Sequence, residues 1–136
     1  MKAVVNGKIV LKNGVLENKV IVFDKKIIDI CDEVPTNCEI IDAKENYVCP
    51  GLIDIHIHGC KGFDAMDEDE NAVEIISKGL AETGVTSFLP TTMTMSPERI
   101  YKAFDNIIKA KNKSIKGAKV LGAHMEGPFI NRIYKG

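Results

Sequence analysis

Two histidines two residues apart, in the run Ile53-Asp54-Ile55-His56-Ile57-His58-Gly59, are the residues of this chain best suited to chemistry. Successive side chains of an extended strand point to opposite faces, so Asp54, His56 and His58 share one face and Ile53, Ile55 and Ile57 the other. Neutral imidazole is the commonest ligand for zinc and its neighbours, and two imidazoles on one rigid strand can grip a single ion. A pair of hydrogen-bonded core histidines would satisfy the same spacing, so the shared face is a requirement for a metal site and not a proof. Pro50-Gly51 leads into the strand, Gly59 turns out of it, and two of the chain's three histidines lie here. Cys60 follows His58 by two residues, at the turn where the strand's facing is lost.

A second group stands later in the chain. Over Lys119–Glu126, predicted as a strand, Val120, Gly122, His124 and Glu126 alternate with Leu121, Ala123 and Met125. Glu126 falls at the carboxyl end, before Gly127-Pro128-Phe129, and ligands of parallel α/β folds bind at that end. Glu126 is therefore either a ligand or a solvated strand-end carboxylate. The deeper position of His124 favours a hydrogen-bonded core role.

The elements that must hold these residues alternate from Pro50 onward. The histidine strand and a loop at 59–69 lead to a helix with Val73, Ile76 and Leu80 at i, i+3 and i+7, closed by Gly84. A second strand, Val85–Pro90, precedes Ser96-Pro97-Glu98, an N-cap with proline at the first helical position. Ile100, Phe104, Ile107 and Ile108 form the second helix's apolar stripe. Strands alternating with helices predict a parallel sheet, either open and doubly wound or closed as a (β/α)₈ barrel. Residues 1–49 instead read as short strands at Lys8–Leu11, Lys19–Phe23, Ile27–Ile30 and Glu39–Asp42, without catalytic residue types.

Composition narrows the function. The chain has 136 residues, 45% hydrophobic and 27% charged, as in one ordinary globular domain. Eighteen Lys and Arg against nineteen Asp and Glu give a formal net charge of -1, with no basic footprint for nucleic acid. The lysines of 109–119 read as a solvated helix end and loop. No apolar run reaches membrane-spanning length and the start breaks at Asn6-Gly7 before a signal-peptide core, so a cytoplasmic protein without membrane partners is expected. Cys31, Cys38, Cys49 and Cys60 match neither a zinc knuckle nor a redox pair and are expected as reduced thiols. Gly59-Cys60-Lys61-Gly62 lacks the glycine spacing of a phosphate loop, and no Gly-x-Ser-x-Gly elbow exists.

Pro50-Gly51-Leu52-Ile53-Asp54-Ile55-His56-Ile57-His58-Gly59 resembles the first barrel strand of the amidohydrolase superfamily. Gly122-Ala123-His124-Met125-Glu126-Gly127-Pro128-Phe129-Ile130, with Thr86-Ser87-Phe88-Leu89-Pro90-Thr91 before it, resembles the N-acetylglucosamine-6-phosphate deacetylase family. The resemblance covers the whole chain but only the N-terminal portion of that family's larger proteins. It implies an α/β protein: the N-terminal part of a small β-sandwich over 1–49, then the first three β/α units of a metal-dependent hydrolase (β/α)₈ TIM-like barrel over 50–136. It also implies that Glu126 is the family's glutamate metal ligand and that His56 and His58 are the superfamily's first-strand pair. The cofactor would be a divalent metal, zinc, iron or manganese, as one or two ions; some deacetylases lack the histidine pair and use one, so its presence implies two.

The implied reaction is hydrolysis of the N-acetyl amide of N-acetylglucosamine 6-phosphate, a small-molecule amino-sugar phosphate, to glucosamine 6-phosphate and acetate. A divalent ion lowers the pKa of its water from about 15.7 toward roughly 7 and polarises the acetyl carbonyl, and a carboxylate then passes the water's proton to the leaving amine. The family's catalytic aspartate and two further histidine ligands lie on later strands, and its substrate-contacting Ala-His would follow Lys135-Gly136. No catalytic residue therefore falls in this chain. Alone it is expected to be inactive, self-associating through open strand edges or partly ordered, while the full-length protein is expected to be a homo-oligomer. Two other readings stay open: another amidohydrolase, dihydroorotase-like or adenine-deaminase-like, and a non-enzymatic truncated remnant or assembly piece.

Overall fold

A computed structural model describes residues 1–113 and 115–134, so the Lys135-Gly136 segment noted above lies outside the described residues. The fold is mixed α/β, and the chain divides into two compact units, Met1–Pro50 and the residues from Gly51 onward.

The first unit is built entirely of short strands: β1 (Lys2–Val5), β2 (Lys8–Leu11), β3 (Gly14–Leu16), β4 (Val20–Phe23), β5 (Ile27–Cys31), β6 (Glu39–Asp42) and β7 (Tyr47–Val48). Four of them form a mixed sheet in the order β5-β4-β1-β6, with β1 antiparallel to β4 and parallel to β6. The others form a second sheet, β3-β2-β7. Ala3, Val20 and Val22 are buried together, with Val5, Cys31 and Cys38 packed against them. β1, β3 and β7 are not among the strands expected from local pattern. Lys2–Val5 carries too few residues for a periodicity to register, yet its Ala3 is fully buried because β4 and β6 pair on either side of it. All four cysteines are free thiols.

The second unit contains β8 (Leu52–Ile57), β9 (Gly59–Cys60), β10 (Phe63–Asp64), α1 (Ala72–Ala81), β11 (Val85–Pro90), α2 (Pro97–Asn112) and β12 (Lys119–Val120). Strands β8, β11 and β12 form a parallel sheet in that spatial order, so each helical crossover steps to the next strand in the same direction. Right-handed crossovers taken in one direction put both helices on one face of the sheet. Val73, Ile76 and Leu80 of α1 and Ile107 and Ala110 of α2 are indeed buried in one cluster with Val85, Phe88 and Val120 of the strands. Phe88, on the central strand, is fully buried there.

Three local contacts fix the sheet's edges. A side chain at Gly51 would place its Cβ 2.0 Å from the Thr86 Cγ2, so only glycine lets the start of β8 lie this close to β11. Ser77 of α1 donates its hydroxyl to the Ala118 carbonyl at 2.7 Å, and the Ala118 N–H donates to the Ser77 carbonyl at 3.0 Å. This reciprocal pair pins the entry of β12 to the first helix. Asn106 of α2 is buried and donates to the carbonyls of Asp67 and Glu68 at 3.3 and 3.4 Å, while Lys109 pairs with Glu70 and holds its carboxyl below the ordinary range.

Several expectations need correction. The 59–69 loop contains a small hairpin, β9–β10, because Lys61 and Gly62 both take positive φ and turn the chain back on itself. The third strand is regular only over Lys119–Val120; beyond it the chain keeps scattered contacts with β11, at Phe88 and Pro90, and an isolated bridge between His124 and Thr91 just past that strand. Register shifts in the β8–β11 pairing bring Val85 and Phe88, three apart, into the same cluster, which strict alternation does not predict. Ile108 is 55% exposed and lies outside the apolar stripe, since Ile107 beside it already fills the contact with the sheet. No helix among the described residues is long and apolar enough to cross a membrane.

The packing leads to a direct comparison. Phe88→Ala should destabilise the chain by about 3–5 kcal/mol, the usual range for deleting a buried aromatic ring. Ile108→Ala should change stability by less than about 0.5 kcal/mol. Urea unfolding of the two variants checks both; equal losses would mean that α2 packs through a different face.

Candidate metal centre

His56 lies on β8, His58 directly after it and Glu126 six residues beyond β12, so the three residues are brought together by β8 and by the chain that continues past β8 and β12, two strands that are not neighbours in the sheet. The chain segment between them directly follows β11. There Thr91, fully buried, donates its N–H to the Ile57 carbonyl at 2.8 Å and accepts the Ile57 N–H on its hydroxyl at 3.0 Å. On its other side the His124 N–H donates to the Pro90 carbonyl and the Thr92 N–H to the His124 carbonyl, each at 3.0 Å. The carboxyl ends of β8 and of the segment after β12 are thereby tied to a common partner. Gly127 then turns the chain away: its φ is +74°, and a Cβ there would lie 2.1 Å from the Thr94 hydroxyl. A glycine is needed at that point for Glu126 to leave the sheet at this angle.

The three side chains meet. Glu126 Oε2 lies 3.1 Å from the Nε2 atoms of both His56 and His58, and the two Nε2 atoms are 3.4 Å apart. All three groups are partly open to solvent, with side-chain exposures of 49%, 34% and 47% for His56, His58 and Glu126. They are the group of His, Cys, Asp and Glu residues, among those described, whose donor atoms converge closely enough to hold one ion.

Hydrogen-bond chemistry decides what this convergence requires. His58 Nδ1 lies 3.2 Å from the Thr91 carbonyl oxygen, which can only accept, so Nδ1 carries the proton. In neutral imidazole Nε2 is then a bare lone pair, and it faces a carboxylate oxygen and another imidazole nitrogen. Three acceptor atoms therefore share at most one proton between them, from His56, unless an imidazole is charged. A cation at their centre removes the conflict. Two nitrogens bonded at 2.0–2.1 Å to one tetrahedral ion lie roughly 3.3–3.4 Å apart, so the imidazole spacing fits a metal of this class. Two imidazoles and a carboxylate suit zinc, iron or manganese alike.

The remaining candidates divide differently. Asp54 shares the histidine face in the sequence pattern, but its carboxylate accepts the His56 N–H at 3.0 Å and is used locally. Cys60 packs against the helix-covered core and not at the centre. His124 is not the satisfied core residue its position suggested. Its ring lies 4.7 Å from that of His56 and tilted by 51°, and its buried Nδ1 has no hydrogen-bond partner among the described residues. Thr91 carries no expected role from residue type and spacing alone. The available signal was a hydroxyl residue following an apolar strand at its carboxyl end, which is too common to single out before its partners are placed.

Residues 47–132 match the model of the amidohydrolase family. The chain is 39% identical over 135 residues to the N-acetylglucosamine-6-phosphate deacetylase of Bacillus subtilis (strain 168), covering 95% of this chain and 33% of the relative. It is 30% identical to the N-acetylgalactosamine-6-phosphate deacetylase of Escherichia coli O157:H7, over 95% of this chain and 34% of that protein. The crystal structure of N-acetylglucosamine-6-phosphate deacetylase from Pasteurella multocida superposes with a TM-score of 0.85 at 32% identity, covering 97% of this chain and 35% of the other. This chain thus spans about a third of the length of the relatives it matches. With the family model matching 86 of its residues (47–132) and such relatives along nearly all its length, the chain belongs to the amidohydrolase family.

Proposed function

We propose that this chain is the metal-holding first part of an N-acetylglucosamine-6-phosphate deacetylase, and that the whole protein hydrolyses the N-acetyl amide to glucosamine 6-phosphate and acetate. The observation that carries the reading is the meeting of His56 Nε2, His58 Nε2 and Glu126 Oε2 at 3.1–3.4 Å with too few protons to satisfy them. These three residues would hold the ion. A divalent ion there supplies Lewis acidity, which brings water toward neutral pKa and polarises an amide carbonyl. The chain's own residues orient that ion: Thr91 through His58, and Gly127 through the exit of Glu126. Because Glu126 is engaged as a ligand, the proton transfer to the leaving amine needs a further carboxylate.

The proposed architecture follows the same line. Three parallel strands in chain order with both helices on one face suit an arc of a (β/α)₈ barrel better than a doubly wound sheet, whose order reverses and whose helices cover both faces. The two sheets of Met1–Pro50 suit part of a small β-sandwich. Four free thiols fit the reducing cytoplasm. The N-acetylgalactosamine-6-phosphate deacetylase among the relatives makes the epimeric sugar phosphate the specific second substrate to test.

Two measurements check the reading. The whole protein, assayed for acetate release, should turn over N-acetylglucosamine 6-phosphate with higher kcat/KM than its galactose epimer, and hydantoins or dihydroorotate should not be cleaved. A preference for a cyclic amide, or no hydrolysis of any of these, would overturn it. Zinc titration should show binding that is lost on addition of a chelator, with Glu126→Gln weakening affinity by more than about 100-fold, beyond the 10–100-fold typical of groups that only support a ligand. Unchanged zinc affinity in Glu126→Gln would remove this glutamate from the centre.

A further inference from the structure

We propose that Thr91 is the positioning residue of the metal centre: it fixes His58 as the Nδ1–H tautomer and aims its bare Nε2 at Glu126. The inference rests on the metal reading above and extends it to a residue that touches neither ion nor substrate.

Thr91 is fully buried, and its backbone and hydroxyl groups are engaged in different directions. The Thr91 N–H donates to the Ile57 carbonyl at 2.8 Å and its hydroxyl accepts the Ile57 N–H at 3.0 Å, so both backbone groups of Ile57 are held, while the hydroxyl proton goes to the Leu89 carbonyl at 3.2 Å. Ile57 is the residue between the two histidines, so the clamp fixes the backbone from which both rings project. The Thr91 carbonyl, held by the same clamp, accepts from His58 Nδ1 at 3.2 Å. Thr91 also bridges to His124, whose ring lies 4.7 Å from the His56 ring. One residue thus holds the His58 imidazole through its carbonyl, and its N–H and hydroxyl hold the backbone between the two histidines.

The hydroxyl is the part that a substitution can remove. Valine has nearly the same shape and leaves the carbonyl in the chain, but the Ile57 N–H then loses its acceptor in a partly buried place, where an unpaired donor carries a cost. The peptide should turn to find another partner, and the His58 ring should follow it. Serine keeps the hydroxyl and gives up only a methyl group.

The test is two-bond ¹H–¹⁵N correlation of the histidine rings in the ¹⁵N-labelled whole protein, metal-free and at alkaline pH where imidazole is neutral. In the wild type His58 should carry its proton on Nδ1. In Thr91→Val the Nε2–H form should gain population and zinc affinity should fall about 10–100-fold, as for loss of other groups that orient a ligand. Thr91→Ser should restore the wild-type tautomer, with zinc affinity well short of the roughly 10–100-fold loss expected for valine. A wild-type His58 protonated on Nε2 would overturn the proposal, as would a folded Thr91→Val with unchanged tautomer and unchanged zinc affinity. If Thr91→Val does not fold, the wild-type tautomer decides. A wild type that shows the Nδ1–H tautomer but binds no zinc would overturn the metal reading and leave the role of Thr91 standing.

Discussion

The hydrogen bond between His58 Nδ1 and the Thr91 carbonyl sets the chemistry of everything around it. By taking the only proton of a neutral imidazole, it turns Nε2 into a lone pair directed at a carboxylate that is itself an acceptor. Without that bond, His56, His58 and Glu126 would be an ordinary network of surface hydrogen bonds. With it they form a set of converging acceptors that calls for a positive charge. Partial exposure moderates the penalty, because water can reach the cluster, and it leaves the three side chains accessible to an ion from solvent.

The sheet provides the rest. Parallel strands bring their carboxyl ends to one edge, so residues 70 positions apart in sequence can meet there. The central strand is held at two places: Phe88 is buried in the helix-covered core, and Thr91, directly after the strand, is bonded to the chain on both sides. Ser77 and Gly117-Ala118 secure the opposite end of β12, where a Cβ at Gly117 would lie 2.4 Å from the Ser77 hydroxyl. Precision at the centre therefore depends on contacts well removed from it. The hairpin β9–β10 and the loop held by Asn106 follow directly from His58 and anchor its far side, with the Ala65 N–H donating to the His58 carbonyl at 2.7 Å.

Much of this was legible in the residues, and the exceptions have physical causes. The helices from Ala72 and Pro97 and the strand Val85–Pro90 follow from apolar period, proline and glycine positions, which act locally. The His56–His58 pair and Glu126 were legible by residue type and facing, because strand alternation survives at the ends of β8 and after β12. Ile108 was misread because helical spacing alone cannot choose between adjacent apolar residues at the edge of a stripe. The short strands Lys2–Val5 and Tyr47–Val48 exist because of partners that are distant in sequence, and no local pattern encodes them. Thr91 was illegible for the same reason: its role lies in bonds to Ile57, His58 and His124, which only the fold brings within reach.

The central claim is that His56, His58 and Glu126 hold one metal ion at the carboxyl edge of the parallel sheet. Anomalous diffraction from crystals of the whole protein grown with zinc tests it most directly. The account predicts a zinc peak within bonding distance of His56 Nε2, His58 Nε2 and a Glu126 carboxylate oxygen, with His58 Nδ1 still on the Thr91 carbonyl. Zinc bound elsewhere, with these three side chains left as they stand, would contradict it.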